Sequence, residues 1–183
     1  ILFVNHAMLQ NPGKSSLIAY TPDLDSVNVV DDQLDAYSVN DVLVDGAFAF
    51  VSGKTFLSKY NVTTYEQTNS IGIDGTGNGA LAVYNNILLV AEQSDLVIYY
   101  KADLTFRKRI AMSGKISSVK VVGNKAFVIL TDENTNKLKS AVAIDLILGR
   151  KESETPLDVA GFIVSETLVK GTKLYLTGAA FVS

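Results

Sequence analysis

The sequence predicts an all-β protein built from repeated four-stranded antiparallel sheets, and three features of the 183-residue chain support this. Short runs rich in β-branched and aromatic residues alternate with Gly, Asn, Asp and Lys, which is the pattern of strands separated by turns. No stretch sustains the 3.6-residue period of an amphipathic helix, and the apolar segment 145–149 is too short to form a helix alone. The apolar runs also recur at a spacing of about 40 to 47 residues.

Each repeat has the same order of elements. A tight polar turn leads into an apolar run four times, at Asp45-Gly46, Asn85-Asn86, Gly123-Asn124-Lys125 and Gly171-Thr172-Lys173. Asp-Gly and Gly-Asn favour two-residue hairpins, because the type I′ and II′ turns of such hairpins need positive φ angles. The run after the turn is apolar at consecutive positions, so both of its faces must be covered. One sheet cannot cover its own two faces, and the repeated sheets must therefore stack on one another.

Sheets that stack face to face around an axis form a β-propeller, and closing the ring removes exposed sheet edges. The repeats place about four blades in this chain. The predicted blade segments are 1–38, 39–78, 79–114, 115–158 and 159–183. Because both ends of the chain fall in apolar runs, three arrangements are open: a closed four-bladed ring, part of a larger ring of about seven or eight blades, or two copies completing one ring. We expect part of a larger ring.

The repeat resembles the YVTN-type propellers, a broad set found in surface-layer, quinoprotein-like and NHL-like proteins. The resemblance lies in the strand-turn-strand segments 42–51 and 119–130 and in the segment Tyr60-Asn61-Val62-Thr63-Thr64, which is similar to the Tyr-Asp-x-x-Thr end of the third strand; 101–105 is a looser copy. The opening segment, 4–20, is similar to surface propeller lipoproteins of Bacteroidetes, although His6-Ala7 stands where that group has Glu-Gly. The resemblance implies an extracellular or cell-surface protein of the bacterial envelope.

Composition narrows the possible partners. The net charge is −3 and no basic stripe is present, which argues against nucleic-acid binding. The chain has no Cys, so it has neither a disulfide framework nor a thiolate metal site. No apolar run approaches the ~20 residues that a membrane-spanning helix needs.

One segment has the spacing of a calcium-binding loop. Asp74, Thr76 and Asn78 offer alternate side-chain oxygens, and glycines between and after them permit a sharp turn. The twelfth position is Asn85 rather than the bidentate Glu that such a loop uses. A Gly-rich connection between blades is therefore the favoured interpretation, and no cofactor is expected, with calcium as the alternative. The similar oxygen-rich segment 132–136 is interpreted as a hairpin loop.

No catalytic apparatus is evident, since the chain has one His and no nucleophile motif. The favoured function is a non-enzymatic scaffold at the cell surface or in the secreted state, which binds a protein or carbohydrate at a propeller face. Assembly into a homo-oligomer is a further option. The alternative is a propeller enzyme of the lyase, lactonase or quinoprotein type, with a metal-assisted site at the central channel. Its polar residues would come from His6, Asp41, Glu92, Lys120 and Glu166.

Overall fold

The computed structural model describes residues 2–7, 14–20, 27–35, 39–74, 79–135, 137–157, 162–170 and 173–180. These residues form seventeen β-strands, which pair antiparallel with their neighbours in sequence to give five sheets. The described ranges contain no helix of any kind, and hence none with the length and hydropathy to cross a membrane.

The strands of each sheet follow one another in sequence. The first sheet contains β1 (Leu2–Ala7), β2 (Lys14–Tyr20) and β3 (Val27–Asp35). The second contains β4 (Val39–Asp45), β5 (Phe48–Gly53), β6 (Phe56–Asn61) and β7 (Gln67–Gly72). The third contains β8 (Leu81–Tyr84), β9 (Ile87–Glu92), β10 (Asp95–Tyr100) and β11 (Phe106–Ala111). The fourth contains β12 (Lys115–Val122), β13 (Lys125–Thr131), β14 (Leu138–Asp145) and β15 (Arg150–Pro156). The fifth contains β16 (Phe162–Lys170) and β17 (Lys173–Ala180).

The first strands of the last four sheets form the inner edge of the molecule. Strand β4 contacts β8, β8 contacts β12, and β12 contacts β16, while β1 lies beside β4. The remaining strands of each sheet extend outward from this inner edge in order. Successive sheets therefore stack around a line that runs beside their first strands.

Apolar side chains fill the space between successive sheets. One cluster joins β2 of the first sheet to the second, through Leu17 and Val51 among others. A second cluster joins the second sheet to the third, and it includes Leu88 and Val90. A third joins the third sheet to the fourth, and it includes Leu89. Neighbouring residues of β9 thus belong to opposite clusters, which confirms that this apolar strand is covered on both faces.

The turns follow the chemistry that the sequence predicts. Gly46, Asn85 and Gly123 have φ angles of +60°, +51° and +58° in the turns that join the first and second strands. At the turn after the third strand, Asn61 Oδ1 accepts hydrogen bonds from the backbone N–H groups of Thr63 and Thr64, at 2.7 and 3.0 Å. The Tyr-Asn-x-x-Thr segment therefore stabilises a turn, as Asx side chains commonly do.

Candidate functional site

A polar cavity of about 450 Å³ lies at the inner edge of the stacked sheets. We call it the axial cavity, and it is lined by Asn40, Asp41, Ala80, Leu81, Ser117, Ser118, Val119 and Lys120. These residues come from β4, from β12 and from β8 with the residue before it. Three successive sheets thus contribute to one site.

β-bulges in the inner strands shape this cavity. The pairing of β4 with β5 shifts register at Asn40, and the pairing of β12 with β13 shifts at Ser117. The pairing of β16 with β17 shifts in the same way just before Glu166. Since a bulge re-aims the side chains beside it, the residues that follow, Asp41 and Ser118, are placed at the cavity. Glu166 occupies the corresponding register position on β16.

The carboxylate of Asp41 holds two inner strands together. Its Oδ1 accepts a hydrogen bond from the backbone N–H of Val42, and its Oδ2 accepts one from the backbone N–H of Leu81, each at 2.8 Å. Asp41 therefore ties β4 to β8 and satisfies a backbone donor at the start of β8. Charge-assisted hydrogen bonds of this kind are the stronger ones in proteins, which gives Asp41 a positioning role at the cavity wall.

The approach of the second and third sheets near the cavity depends on Gly79. Its φ angle is +58°, and a Cβ atom built on it would lie 2.7 Å from both Asn40 Cβ and Ser52 Oγ. Ser52 Oγ donates a hydrogen bond to the carbonyl oxygen of Gly79. Only glycine fits this position, because the left-handed backbone and the close approach both exclude a side chain.

The polar side chains that line the axial cavity are suited to hydrogen bonding. Ser117 Oγ donates to the carbonyl oxygen of Ile129 at 3.3 Å, and Lys120 is exposed. The walls carry an amide, two hydroxyls, one ammonium group and the Asp41 carboxylate, each oxygen of which accepts one backbone hydrogen bond. Among the described residues, no group of three or more His, Cys, Asp or Glu side chains is placed to hold a metal ion.

The residues predicted for a central channel separate in the structure. Asp41 and Lys120 line the same cavity. Glu92 lies elsewhere, at the end of β9, where it contacts Tyr99 and Arg109 of the same sheet. His6 is in β1 and Glu166 is in β16, and the side chains of both lie outside the described part of the protein.

The predicted calcium loop is described only at its first position. Asp74 is exposed, and Thr76 and Asn78 lie outside the described residues, so calcium binding there stays a prediction. In the other oxygen-rich segment, Asp132 Oδ1 accepts hydrogen bonds from the backbone N–H groups of Asn134 and Thr135, at 3.1 and 2.8 Å. Asp132 thus caps its own turn.

The structure reveals a network around the buried Glu92 that was not expected from the sequence, and it reaches the surface at Arg109. Glu92 is 1% exposed, and its Oε1 accepts a 2.6 Å hydrogen bond from Tyr99 Oη. Its Oε2 lies 3.3 Å from Arg109 Nη2, and Arg109 Nη1 also contacts Asp95 Oδ2 at 2.9 Å. Burial, with the hydrogen bond to Glu92, raises the pKa of the Tyr99 phenol well above its usual range. The sequence signal for this network is a glutamate at the end of a run that is otherwise buried and apolar.

Comparison with known proteins gives the fold. No protein-family model and no curated protein matches the sequence. Among solved structures, the chain is similar to hydrazine synthase of Kuenenia stuttgartiensis, with a TM-score of 0.76 at 14% identity, over 92% of this chain and 50% of that one. It is similar to Hsv2 of Kluyveromyces lactis, with a TM-score of 0.63 at 11% identity, over 96% of this chain and 55% of that one. It is also similar to the dihydro-heme d1 dehydrogenase NirN, with a TM-score of 0.63 at 9% identity, over 85% of this chain and 35% of that one.

These are propeller-like structures, and likeness at such low identity establishes architecture alone. The chain spans about half the length of the hydrazine synthase chain that it matches. The stacked four-stranded antiparallel sheets and these likenesses together confirm the predicted fold class: the chain is an all-β propeller with about four blades.

Proposed function

We propose that this chain is part of a non-enzymatic binding module, secreted or at a cell surface, and that a partner protein docks a polar loop over the axial cavity. The observation that carries the proposal is the lining of that cavity by polar side chains of two sheets, namely Asn40, Asp41, Ser117, Ser118 and Lys120. Propellers present rigid faces on which loops and strand ends recognise partners.

A protein ligand is favoured over a carbohydrate because the residues that line the axial cavity include no aromatic side chain. Carbohydrate sites commonly use aromatic rings to cover the apolar faces of sugars, and the lining of the axial cavity contains no aromatic side chain. Its volume of about 450 Å³ falls in the range of pockets that enclose small groups, and it is large enough for one or two polar side chains.

Site-specific photo-crosslinking tests the proposal in the cells that produce the chain. A photoreactive residue replaces Lys120, and the matched control carries it at Lys151, which is exposed on β15. We expect a crosslink to a defined protein from position 120 that unlabelled chain competes away and that the cavity-filling substitution Ser118→Trp abolishes. Crosslinking that is equal at both positions, or insensitive to Ser118→Trp, would contradict docking at the axial cavity.

A glycan array probed with the purified chain tests the carbohydrate alternative. Saturable glycan binding that is lost in Ser118→Trp would replace the protein partner with a carbohydrate one.

The metal-assisted enzyme at the channel is the second candidate, and one observation favours it. Asp41 and Glu166 occupy equivalent register positions beside the bulges of two inner strands. Calorimetric titration with Ca²⁺ and Zn²⁺ distinguishes the two functions. Metal binding that is lost in both Asp41→Asn and Glu166→Gln would favour the enzyme, whereas the binding module predicts no such metal site.

A further inference from the structure

A second cavity lies between the second and third sheets, at the end of the molecule that carries the turns between first and second strands. Its volume is about 470 Å³. We call it the seam groove. Its lining includes Asp45, Phe48, Phe50, Lys59, Asn85, Asn86 and Lys101, of which Phe50 is only 1% exposed. Both phenylalanines come from β5 and both asparagines come from the turn between β8 and β9. The groove therefore joins an aromatic wall on one sheet to a polar turn on the next.

Lys59 places a positive charge in this groove. The residue is only 6% exposed, although lysine is almost never buried without a partner of opposite charge. Its Nζ donates a 2.8 Å hydrogen bond to the carbonyl oxygen of Ala102 and lies 3.8 Å from the centroid of the Phe48 ring. An ammonium group has three donors, so these two contacts leave one N–H direction for another acceptor.

No carboxylate of the described residues forms an ion pair with Lys59. The neighbouring Lys101 is already paired, with Asp45. The carboxylate of Asp103 favours the charged form of Lys59 from a distance, but its Oδ1 is occupied by the backbone N–H and the hydroxyl of Thr105. Burial outweighs this attraction and lowers the pKa of Lys59, and Lys101 lowers it further. The positive charge of Lys59 is thus incompletely matched within the protein.

We propose that the seam groove binds an organic carboxylate with a flat apolar body, whose carboxylate accepts a hydrogen bond from Lys59 Nζ and whose body packs on the partly exposed Phe48. Charge complementarity selects the anion, because a hydrogen bond between an ammonium and a carboxylate is stronger than one between neutral groups. The groove volume lies within the range of small-molecule sites, and Phe48 supplies an apolar surface beside the polar groups. This site is separate from the axial cavity and does not depend on the function proposed there.

Binding of 2-naphthoate, measured by NMR titration, tests the proposal, with 2-naphthamide as an uncharged ligand of the same shape. The variant Lys59→Met removes the ammonium but keeps an apolar chain of similar length. Lys54→Met is the matched control, because Lys54 is exposed at the opposite end of the same sheet. We expect saturable binding of 2-naphthoate to the native chain and to Lys54→Met. We expect the affinity for 2-naphthoate to fall about tenfold or more in Lys59→Met. We expect the native chain to bind 2-naphthamide more weakly than 2-naphthoate by a similar factor, because each change removes one charge-assisted hydrogen bond.

A second measurement uses the native chain and so does not depend on the folding of any variant. Reductive methylation of lysines, mapped by mass spectrometry of peptides, reports how accessible Lys59 Nζ is. Saturating 2-naphthoate is expected to protect Lys59 and to leave Lys54 unprotected. Absence of saturable binding to the native chain, equal binding by a folded Lys59→Met variant, or unchanged methylation of Lys59 would each overturn the proposal.

Discussion

The hydrogen bond between Tyr99 and the buried Glu92 predicts how the substitution Tyr99→Phe changes the stability of the fold. This change removes one hydroxyl and leaves the ring, including its edge-to-face contact with Phe106 at 6.4 Å between centroids. The lost interaction is a 2.6 Å hydrogen bond to a carboxylate that is 1% exposed. Hydrogen bonds to charged groups contribute about 1.5–3 kcal/mol, so the free energy of unfolding should fall by about 2 kcal/mol. For a chain of this size, the melting temperature should drop by about 4 to 8 °C.

The pH dependence provides an independent check. The pKa of Tyr99 is raised by folding, whereas the unfolded phenol titrates near pH 10. The neutral phenol therefore stabilises the folded state below about pH 10, and this contribution declines by about 1.4 kcal/mol per pH unit above it. The difference in unfolding free energy between the native chain and Tyr99→Phe should accordingly shrink above about pH 10.

Urea unfolding followed by far-ultraviolet circular dichroism, from pH 7 to above pH 10, measures both effects. A double-mutant cycle with Glu92→Leu isolates the pair: the double variant should be less destabilised than the sum of the single variants, because it removes both partners of the buried hydrogen bond. The reasoning is refuted if Tyr99→Phe changes stability by less than about 0.5 kcal/mol at pH 7, the range of an ordinary surface substitution. If the unfolding free energies of the native chain and of Tyr99→Phe change equally with pH, the argument from the raised pKa of Tyr99 is refuted.

Two further predictions concern the core and the inner edge. Leu89→Ala, at a position that is 0% exposed between the third and fourth sheets, should cost about 3 kcal/mol in urea unfolding. Ile147→Ala, at a side chain that is 65% exposed, should stay within about 0.5 kcal/mol, and equal effects would contradict the stacking of the sheets. Gly46→Ala should cost about 1 kcal/mol from its left-handed backbone alone, because no atom lies within 4 Å of the added Cβ. Gly79→Ala should lower the melting temperature further, since its Cβ meets two atoms at 2.7 Å, and equal melting temperatures would contradict the close approach.

Glu92 and Lys59 show why the partners of buried polar residues could not be predicted from the sequence. Glu92 ends an apolar strand and Lys59 lies within a mixed one, and the sequence alone placed Glu92 with Asp41 as a channel candidate. The structure instead directs Glu92 to Tyr99 and Arg109 on the next two strands of its own sheet, and directs Lys59 to a turn of the next sheet, 43 residues away. Such partners depend on strand register and on how two sheets are set against each other, which no local pattern encodes.

The strands, the turns and the need for the sheets to stack can all be derived from the amino-acid sequence. Strand positions follow from local alternation and apolar runs, and turns such as Asp45-Gly46 follow from the residues that tolerate positive φ. Which polar groups meet depends on the three-dimensional packing, because the bulges at Asn40 and Ser117 shift the register and re-aim the side chains that follow. The axial cavity and the seam groove both arise at contacts between sheets, where residues far apart in sequence are brought together by packing rather than by pattern.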